Sequence, residues 1–429
     1  MKQLLTTVLT LIFVGVLYAQ QPKVNQDRLE DRIFDLAEFG LQENGETERV
    51  AFSDADIDAR NWAIKTLKGY GMEVKVDAAG NIIGKREGTD SSKKPIAFGS
   101  HIDRVPNGGN YDGCVGSMAA LEVIATLNEN NIKTNHPLEV IIFPNEEGGV
   151  MGSRAMAGNL GKSALSVVNS TGYSMGEGIM RIGGDTTKLA NAKREKGSLA
   201  AFLELHIEQG GKLEKENLDI GVVEGIVGLN WWDVVFTGFA NHAGTTPMDA
   251  RQDALLAAAK YIVAVNEITN SFEGTQVGTV GRIKAEPGAP NVIPGKVTAS
   301  LEIRDLSSEV IQKVYEAIKK KTEEIAKASN VSVEFLPLDT TAEPALTDTN
   351  IQKEIESSAK VLGLSYQYMP SGAGHDAQDI SRFAPVGMIF VPSKGGISHS
   401  PKEFTSAEDI ANGANVLLQT ILSLDKKLD

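Results

Sequence analysis

The feature that most constrains this chain is a local design that occurs twice. An apolar run of strand length ends each time in a cluster of histidines or carboxylates. Lys94–Gly99 (KPIAFG) runs into SHID, and Leu138–Pro144 (LEVIIFP) runs into NEEG. Short runs this apolar, rich in Ile, Val and Phe, read as strands covered on both faces. Helical patterns lie between and around them, at Arg60–Lys68 and at Gly116–Asn128, where small residues open the pattern. Alternation of this kind implies an α/β sheet. Two polar clusters then fall just past strand C-termini, where open α/β sheets bind ligands.

At 429 residues the chain exceeds one ordinary domain. The pattern changes between residues 227 and 338. WWDVVFTGFA reads as a strand and Arg251–Ile268 as a helix. VGTVGRIK and KVTASLEIRDL read as two strands, Ser308–Ala328 as a helix and VSVEFLPL as a last strand. The order β-α-β-β-α-β is the ferredoxin-like split unit. We read residues 227–338 as a domain inserted into a larger α/β domain made of 20–226 and 339–429. The closing part contributes the strand VGMIFVPS and the helix Ser406–Leu424.

Composition removes several classes of function. Hydrophobic residues at 41% and charged residues at 23% are globular proportions. With 42 Lys+Arg against 56 Asp+Glu the formal charge is −14, and no basic run supplies a face for nucleic acid. Cys114 is the single cysteine, so no intrachain disulfide and no cysteine-based zinc site can form. As a small residue opening a helix, it is expected to be buried. Any metal must be held by His and carboxylates. At the N-terminus, Lys2 precedes an apolar run from Leu4 to Leu17, then Leu17-Tyr18-Ala19. A run of about 14 residues is too short to span a bilayer and reads as a secretory signal over residues 1–19. The expectation is a periplasmic or secreted protein without stable membrane insertion.

Of six histidines, only His136, in KTNHPLEV, looks like an ordinary loop residue. In GSHIDRVPNGGNYDG, His101 follows a strand, Asp103 lies two residues on, and Asp112 ends a turn-rich loop. A His and a carboxylate there suit Zn²⁺ or Mn²⁺, with Asp103 able to accept the other ring N–H of His101. In NEEGG, adjacent carboxylates repel unless a cation or proton separates them, so one can ligate while the other acts as base toward water. His206 lies in LELHIEQGGKLE and His399 in GGISHSPKEF. Taken singly, each has a bland reading: a solvated turn, a surface Glu pair, a satisfied core histidine, a loop histidine. Taken together, His101, Asp112, Glu147, His206 and His399, with Glu146 beside them, are about the set that two metals sharing one carboxylate require.

The ensemble resembles the metal-dependent amidohydrolases of the M20 peptidase superfamily. The similar branch is that of N-carbamoyl-L-amino-acid hydrolases, allantoate amidohydrolases and β-ureidopropionases. The resemblance rests on GSHIDRVPNGGNYDG, NEEG, LELHIEQGGKLE, GFANHAGTTPMDARQDAL, NVIPGKVTASLEIRD, SGAGHDA and GISHSPKE, from about residue 28 to the C-terminus. It implies a zinc-peptidase-like α/β catalytic domain with an inserted ferredoxin-like lid and dimerisation domain. It implies two divalent ions, Zn²⁺ or Mn²⁺ with Co²⁺ or Ni²⁺ possible, held by His101, Asp112 as bridge, Glu147, His206 and His399. Glu146 becomes the general base. Gln209 contacts the ureido or carboxylate end of the substrate, His242 stabilises the oxyanion, and Asn291 and Arg304 hold the substrate carboxylate. Gly374 lines the pocket, with His375 behind it. The lid is expected to form a homodimer in which His242, Asn291 and Arg304 complete the partner's site.

One departure concerns the segment after Glu147. NEEGGVMGSRAMAG replaces the family's longer Glu-Glu-Gly-Ser-Arg-Phe segment, which bears on substrate identity. The expected activity is hydrolysis of a linear ureido or amide C–N bond in a small carboxylated compound. An aminoacylase or dipeptidase activity and a non-catalytic binding protein for small acidic solutes are the alternatives.

Overall fold

The computed structural model describes residues 21–428 apart from 44, 46, 339 and 340; the signal sequence read at 1–19 lies outside the described residues. Nine strands form one mixed sheet. At its centre four parallel strands lie side by side: Leu138–Phe143, Ile96–His101, Ala201–Ile207 and Val386–Val391. Every residue of these four is buried. Phe98, Val140, Ile142, Leu203 and Leu205 pack against the helices Gln26–Glu38, Asp54–Gly69, Cys114–Glu129, Thr349–Leu362 and Ala407–Lys427. Ala97, Ile141, Phe143, Phe202 and Phe390 pack on the opposite face with the short helices Met151–Ala157 and Asp376–Ile380. The period of two along each strand feeds both layers.

The helix Cys114–Glu129 is buried from Cys114 to Leu127. Small residues open it because it lies almost on the sheet: a Cβ at Gly116 would sit 2.1 Å from the Leu205 carbonyl oxygen. Cys114 is buried as expected, and its Sγ accepts from Arg49 Nη2 at 3.2 Å. The one carboxylate inside the buried stretch, Glu122, is neutralised by Arg28 and Arg32 from Gln26–Glu38.

Residues 228–337 form a second, antiparallel sheet. Its strands lie in the order Ser332–Pro337, Gly228–Thr237, Lys296–Asp305, Ile283–Glu286. That is fourth, first, third and second along the chain, the arrangement of the ferredoxin-like unit. The helices Ala254–Ser271 and Ser308–Ala328 cover one face, where Trp232, Val234 and Phe236 are buried. The segment VGTVGRIK, read as one strand, is two: Val277–Thr279 and Ile283–Glu286 both pair with Lys296–Asp305. The break arises where Gly281 and Arg282 donate their N–H groups to the Ser300 hydroxyl, at 3.1 and 3.0 Å, rather than to ladder carbonyls. The helix read from Arg251 starts at Ala254, because the Asp253 side chain caps the N–H groups of Leu255 and Leu256. A two-residue ribbon pairing Asn241–His242 with Val292–Ile293 was not foreseen.

Two linkers join this unit to the main sheet. Leu229 and Ala342 exchange backbone hydrogen bonds at 2.9 and 3.1 Å across them. The buried amide of Gln378 donates to Val227 O at 3.2 Å and to Glu343 O at 2.9 Å, gripping both linkers at once. No helix among the described residues is long and apolar enough to cross a membrane.

Replacing Gly116 by Ala forces a methyl group against a backbone carbonyl that cannot swing aside. We expect G116A to cost about 1–3 kcal/mol, read as a lowered thermal midpoint by circular dichroism. An unchanged midpoint contradicts this account of the helix–strand contact.

Candidate active site

The four parallel strands end on one side, and their C-terminal ends carry the chemistry. His101 is the last residue of its strand and His206 the last but one of the neighbouring strand. Glu146 and Glu147 follow Leu138–Phe143, and His399 follows Val386–Val391 by one loop. Asp112 lies just before the helix Cys114–Glu129. Gly113, between them, has φ 63°, and a Cβ there would meet His101 Nε2 at 2.2 Å. Only glycine lets the chain turn this close to the imidazole.

Asp112 is the centre. Its Oδ1 lies 3.2 Å from His206 Nε2 and 3.6 Å from His101 Nε2. Its Oδ2 lies 3.2 Å from His399 Nε2, which in turn is 3.4 Å from Glu147 Oε2. Two donor groups therefore share one carboxylate: His101, Asp112 and His206, and Asp112, Glu147 and His399. Glu146 Oε2 stands 3.6 Å from His101 Nε2.

The imidazole tautomers suit cation binding. His101 Nδ1 faces the Asp103 carbonyl at 3.1 Å, and His206 Nδ1 faces the Ile207 carbonyl at 2.9 Å. Each Nδ1 therefore carries the proton, leaving the Nε2 lone pair toward Asp112. His206 Nε2 accepts the Gly113 N–H at 3.1 Å, which requires that lone pair. His101 Nε2 is buried without a hydrogen-bond partner, an orphaned donor atom of the kind a cation satisfies. The nitrogen and oxygen donors present fit a pair of divalent ions.

The sequence reading had the Asp103 carboxylate take the His101 ring proton. The structure corrects this: its carboxylate is 3.9 Å away, and its carbonyl accepts instead. The Asp103 carboxylate accepts the backbone N–H groups of Glu146 and Glu147, both at 3.2 Å. It thus orients the Glu-Glu pair rather than the imidazole.

Charge and burial set the proton affinities. Burial raises Glu146 well above the ordinary carboxylate range, with Asp376, Glu147 and Asp112 adding to it against His101. Burial, with Asp112 adding, pushes Glu147 up to about 7. Burial works against ionised Asp112, but the imidazoles of His101, His206 and His399 around it outweigh burial and hold the group well below its usual range. The hydrogen bond to Asp112 raises His399 to about 9. Five non-glycine residues of these segments hold left-handed backbone: Asn107 (φ 54°), Asn145 (φ 52°), Val150 (φ 49°), Gln209 (φ 57°) and His399 (φ 53°). Such conformations cost about 1–3 kcal/mol each and persist where surrounding contacts impose them.

Gln209 joins the cluster. Its Nε2 donates to Asp112 Oδ2 at 2.6 Å, while its Oε1 is buried without a partner. His375 is buried, with Nε2 2.8 Å from Ser371 Oγ and its ring edge-on to His206 at 4.4 Å. Glu204 also approaches His206 and His375, but its oxygens are taken by Ser100 Oγ and the Ala377 N–H. Gly374 lies in the exposed turn before His375. Sequence reasoning missed Ser398, whose hydroxyl lies 2.9 Å from Asp112 Oδ2; a serine in a Gly/Ser turn carries no signal by itself. His136 is fully buried and away from the cluster, its ring nitrogens facing Lys94 O and Leu428 O.

Three expected residues are not brought to the cluster. His242 is exposed on the separate two-stranded ribbon of the inserted unit, and Asn291 is exposed just before its second strand. His242 Nδ1 accepts the N–H groups of Gly244 and Thr245, at 3.0 and 3.2 Å, so its ring proton sits on Nε2. Arg304 pairs with Glu302 and donates to Gly372 O at 2.7 Å.

Comparison with known proteins agrees with this geometry. An N-carbamoyl-L-amino acid amidohydrolase of Geobacillus stearothermophilus is 41% identical over 406 residues, covering 94% of this chain and 99% of that one. The allantoate amidohydrolase of Bacillus subtilis (strain 168) is 34% identical over 409 residues, covering 93% and 98%. The crystal structure of a hydantoinase/carbamoylase family amidase from Burkholderia multivorans superposes with a TM-score of 0.88 at 35% identity, over 94% of this chain and 99% of that one. The pattern of peptidase family M20/M25/M40 matches residues 97–423, and the chain belongs to that family.

Proposed function

We propose that this chain is a metal-dependent amidohydrolase that cleaves the linear C–N bond of a ureido group in a small carboxylated substrate, an N-carbamoyl-L-amino acid or an allantoate-like compound. One observation carries the reading: Asp112 turns one oxygen to His101 and His206 and the other to His399, with Glu146 buried alongside. His101, Asp112 and His206 would hold one ion, and Asp112, Glu147 and His399 a second. Zn²⁺ and Mn²⁺ suit these donors, and Co²⁺ or Ni²⁺ would also be accepted. Bound there, such ions make water nucleophilic at neutral pH and polarise the scissile carbonyl.

The protein's own groups do the rest. Glu146, whose proton affinity burial raises, takes the proton of the attacking water and returns it to the leaving nitrogen. Gln209 Oε1, an acceptor without a partner, suits the N–H groups of a ureido end and not a carboxylate. His242 donates through Nε2–H to the developing oxyanion, and Arg304 and Asn291 bind the substrate carboxylate, Arg304 through a two-pronged fork. Water adds across the ureido carbonyl, so an N-carbamoyl amino acid yields the amino acid, CO₂ and ammonia. His242, Asn291 and Arg304 make no contact with the cluster of their own chain; we assign them to the site of the second subunit of a homodimer. An export signal over residues 1–19 would direct this activity outside the cytoplasm.

Purified protein loaded with Mn²⁺ or Zn²⁺ is expected to release ammonia from N-carbamoyl-L-amino acids or allantoate. Turnover confined to N-acetyl amino acids or dipeptides would move the chain to aminoacylase or peptidase chemistry, and no turnover on any of these would sink the reading. Glu146→Gln should retain its metal and lose at least about 100-fold in kcat, the usual contribution of a general base. Near-normal turnover in that variant removes Glu146 from the mechanism. Mixing the two inactive variants Glu146→Gln and His242→Ala under exchange conditions should restore activity, since hybrid dimers then contain one complete site. Activity that stays absent on mixing contradicts the shared site.

A further inference from the structure

We propose that Glu403 is the positioning residue that assembles the Asp112–Glu147–His399 half of the centre. It does so by tying the loop that carries Asp112 to the loop that carries His399. The inference rests on the two-ion reading above. Glu403 Oε1 accepts the backbone N–H groups of Tyr111 and Asp112, at 2.9 and 3.0 Å. Its Oε2 accepts the Ser398 hydroxyl at 2.9 Å and the His399 N–H at 3.3 Å. One carboxylate, 5% exposed, thus gathers three backbone donors and one hydroxyl from segments almost 300 residues apart.

A buried anion is costly unless its oxygens are satisfied. Glu403 has no Lys or Arg partner within ion-pair distance among the described residues; the two loops alone satisfy it. Those contacts brace His399 in its left-handed conformation, which a free loop would leave. They also bring the His399 ring to 3.2 Å from Asp112 Oδ2. The Ser398 hydroxyl lies 2.9 Å from both Asp112 Oδ2 and Glu403 Oε2 but has a single proton to give. When Ser398 donates its hydrogen bond to Glu403, it does not also occupy a lone pair of Asp112 Oδ2, which Gln209 Nε2 already approaches at 2.6 Å. Gly109 leaves room for this carboxylate: a Cβ there would lie 2.3 Å from Glu403 Oε1. The opposite half, His101 and His206, is fixed by strand ends and has no contact with Glu403.

The split between the halves is the test. Demetallated wild type and Glu403→Gln are titrated with Mn²⁺ by calorimetry, and bound metal is counted by mass spectrometry. The amide keeps size and shape but turns an N–H₂ group toward N–H donors. Wild type should bind two ions. The variant should bind the second ion roughly 10–100-fold more weakly, the usual loss for a residue that orients a ligand, and the first far less weakened, since His101 and His206 hold it besides Asp112. Excess Mn²⁺ should then recover its ammonia release, and the melting midpoint of the demetallated variant should match wild type. Equal weakening of both ions with a lowered midpoint assigns Glu403 to general stability and overturns the proposal, as does unchanged binding of both. A wild type that binds a single ion instead overturns the two-ion reading. Should Glu403→Gln not fold, Gly109→Ala displaces the same carboxylate and faces the same outcomes.

Discussion

The site depends on one buried carboxylate surrounded by three imidazoles. Asp112 is isolated from solvent, and burial alone would neutralise it. His101, His206 and His399 converge on its two oxygens, and a cation shared between these nitrogens and the carboxylate would keep it ionised. Much of the architecture serves that convergence. Two imidazoles come from adjacent parallel strands, whose ends are held by ladders to their other neighbours, His101 opposite Phe143 and His206 opposite Phe390. The third comes from a loop and must be held by side chains. This difference makes one half of the centre rigid by topology and the other dependent on a tie such as Glu403.

Close packing sets the distances. The helix after Asp112 lies against the strand carrying His206, and Gly116 is what permits it. Gly113 brings the chain to the edge of the His101 ring. A Cβ at either position would lie about 2 Å from an atom that cannot easily give way, the Leu205 carbonyl oxygen or the His101 ring, so something beside Asp112 would have to shift. The linkers obey the same economy: Gln378, one turn from His375, holds both strands of the connection to the second sheet.

Much of this was legible in the sequence. KPIAFG and LEVIIFP read as buried strands because they are short and rich in Ile, Val and Phe, with Glu139 the single charge inside either run, and the clusters after them read as chemistry because strand ends are where such sheets bind ligands. The ferredoxin-like order of the second unit followed from the change of pattern between residues 227 and 338. What escaped detection depends on side chains meeting backbone. Asp103 was assigned to the His101 ring, whereas the turn presents its carbonyl and sends the carboxylate to the N–H groups of Glu146 and Glu147. Ser300 splits an expected strand by substituting its hydroxyl for ladder carbonyls. Ser398 and Glu403 lie in the segment GGISHSPKEF, from which the sequence singled out His399 alone. No spacing rule signals such contacts, because their partners are remote in the chain.

The central claim is that a single carboxylate, Asp112, is shared by two cation sites. Electron paramagnetic resonance of the Mn²⁺-loaded protein tests it most directly. Two ions bridged by one carboxylate lie about 3.5–4 Å apart and are magnetically coupled. The account predicts a coupled Mn²⁺ pair at two equivalents of metal. A spectrum of isolated Mn²⁺ ions at that loading would contradict it.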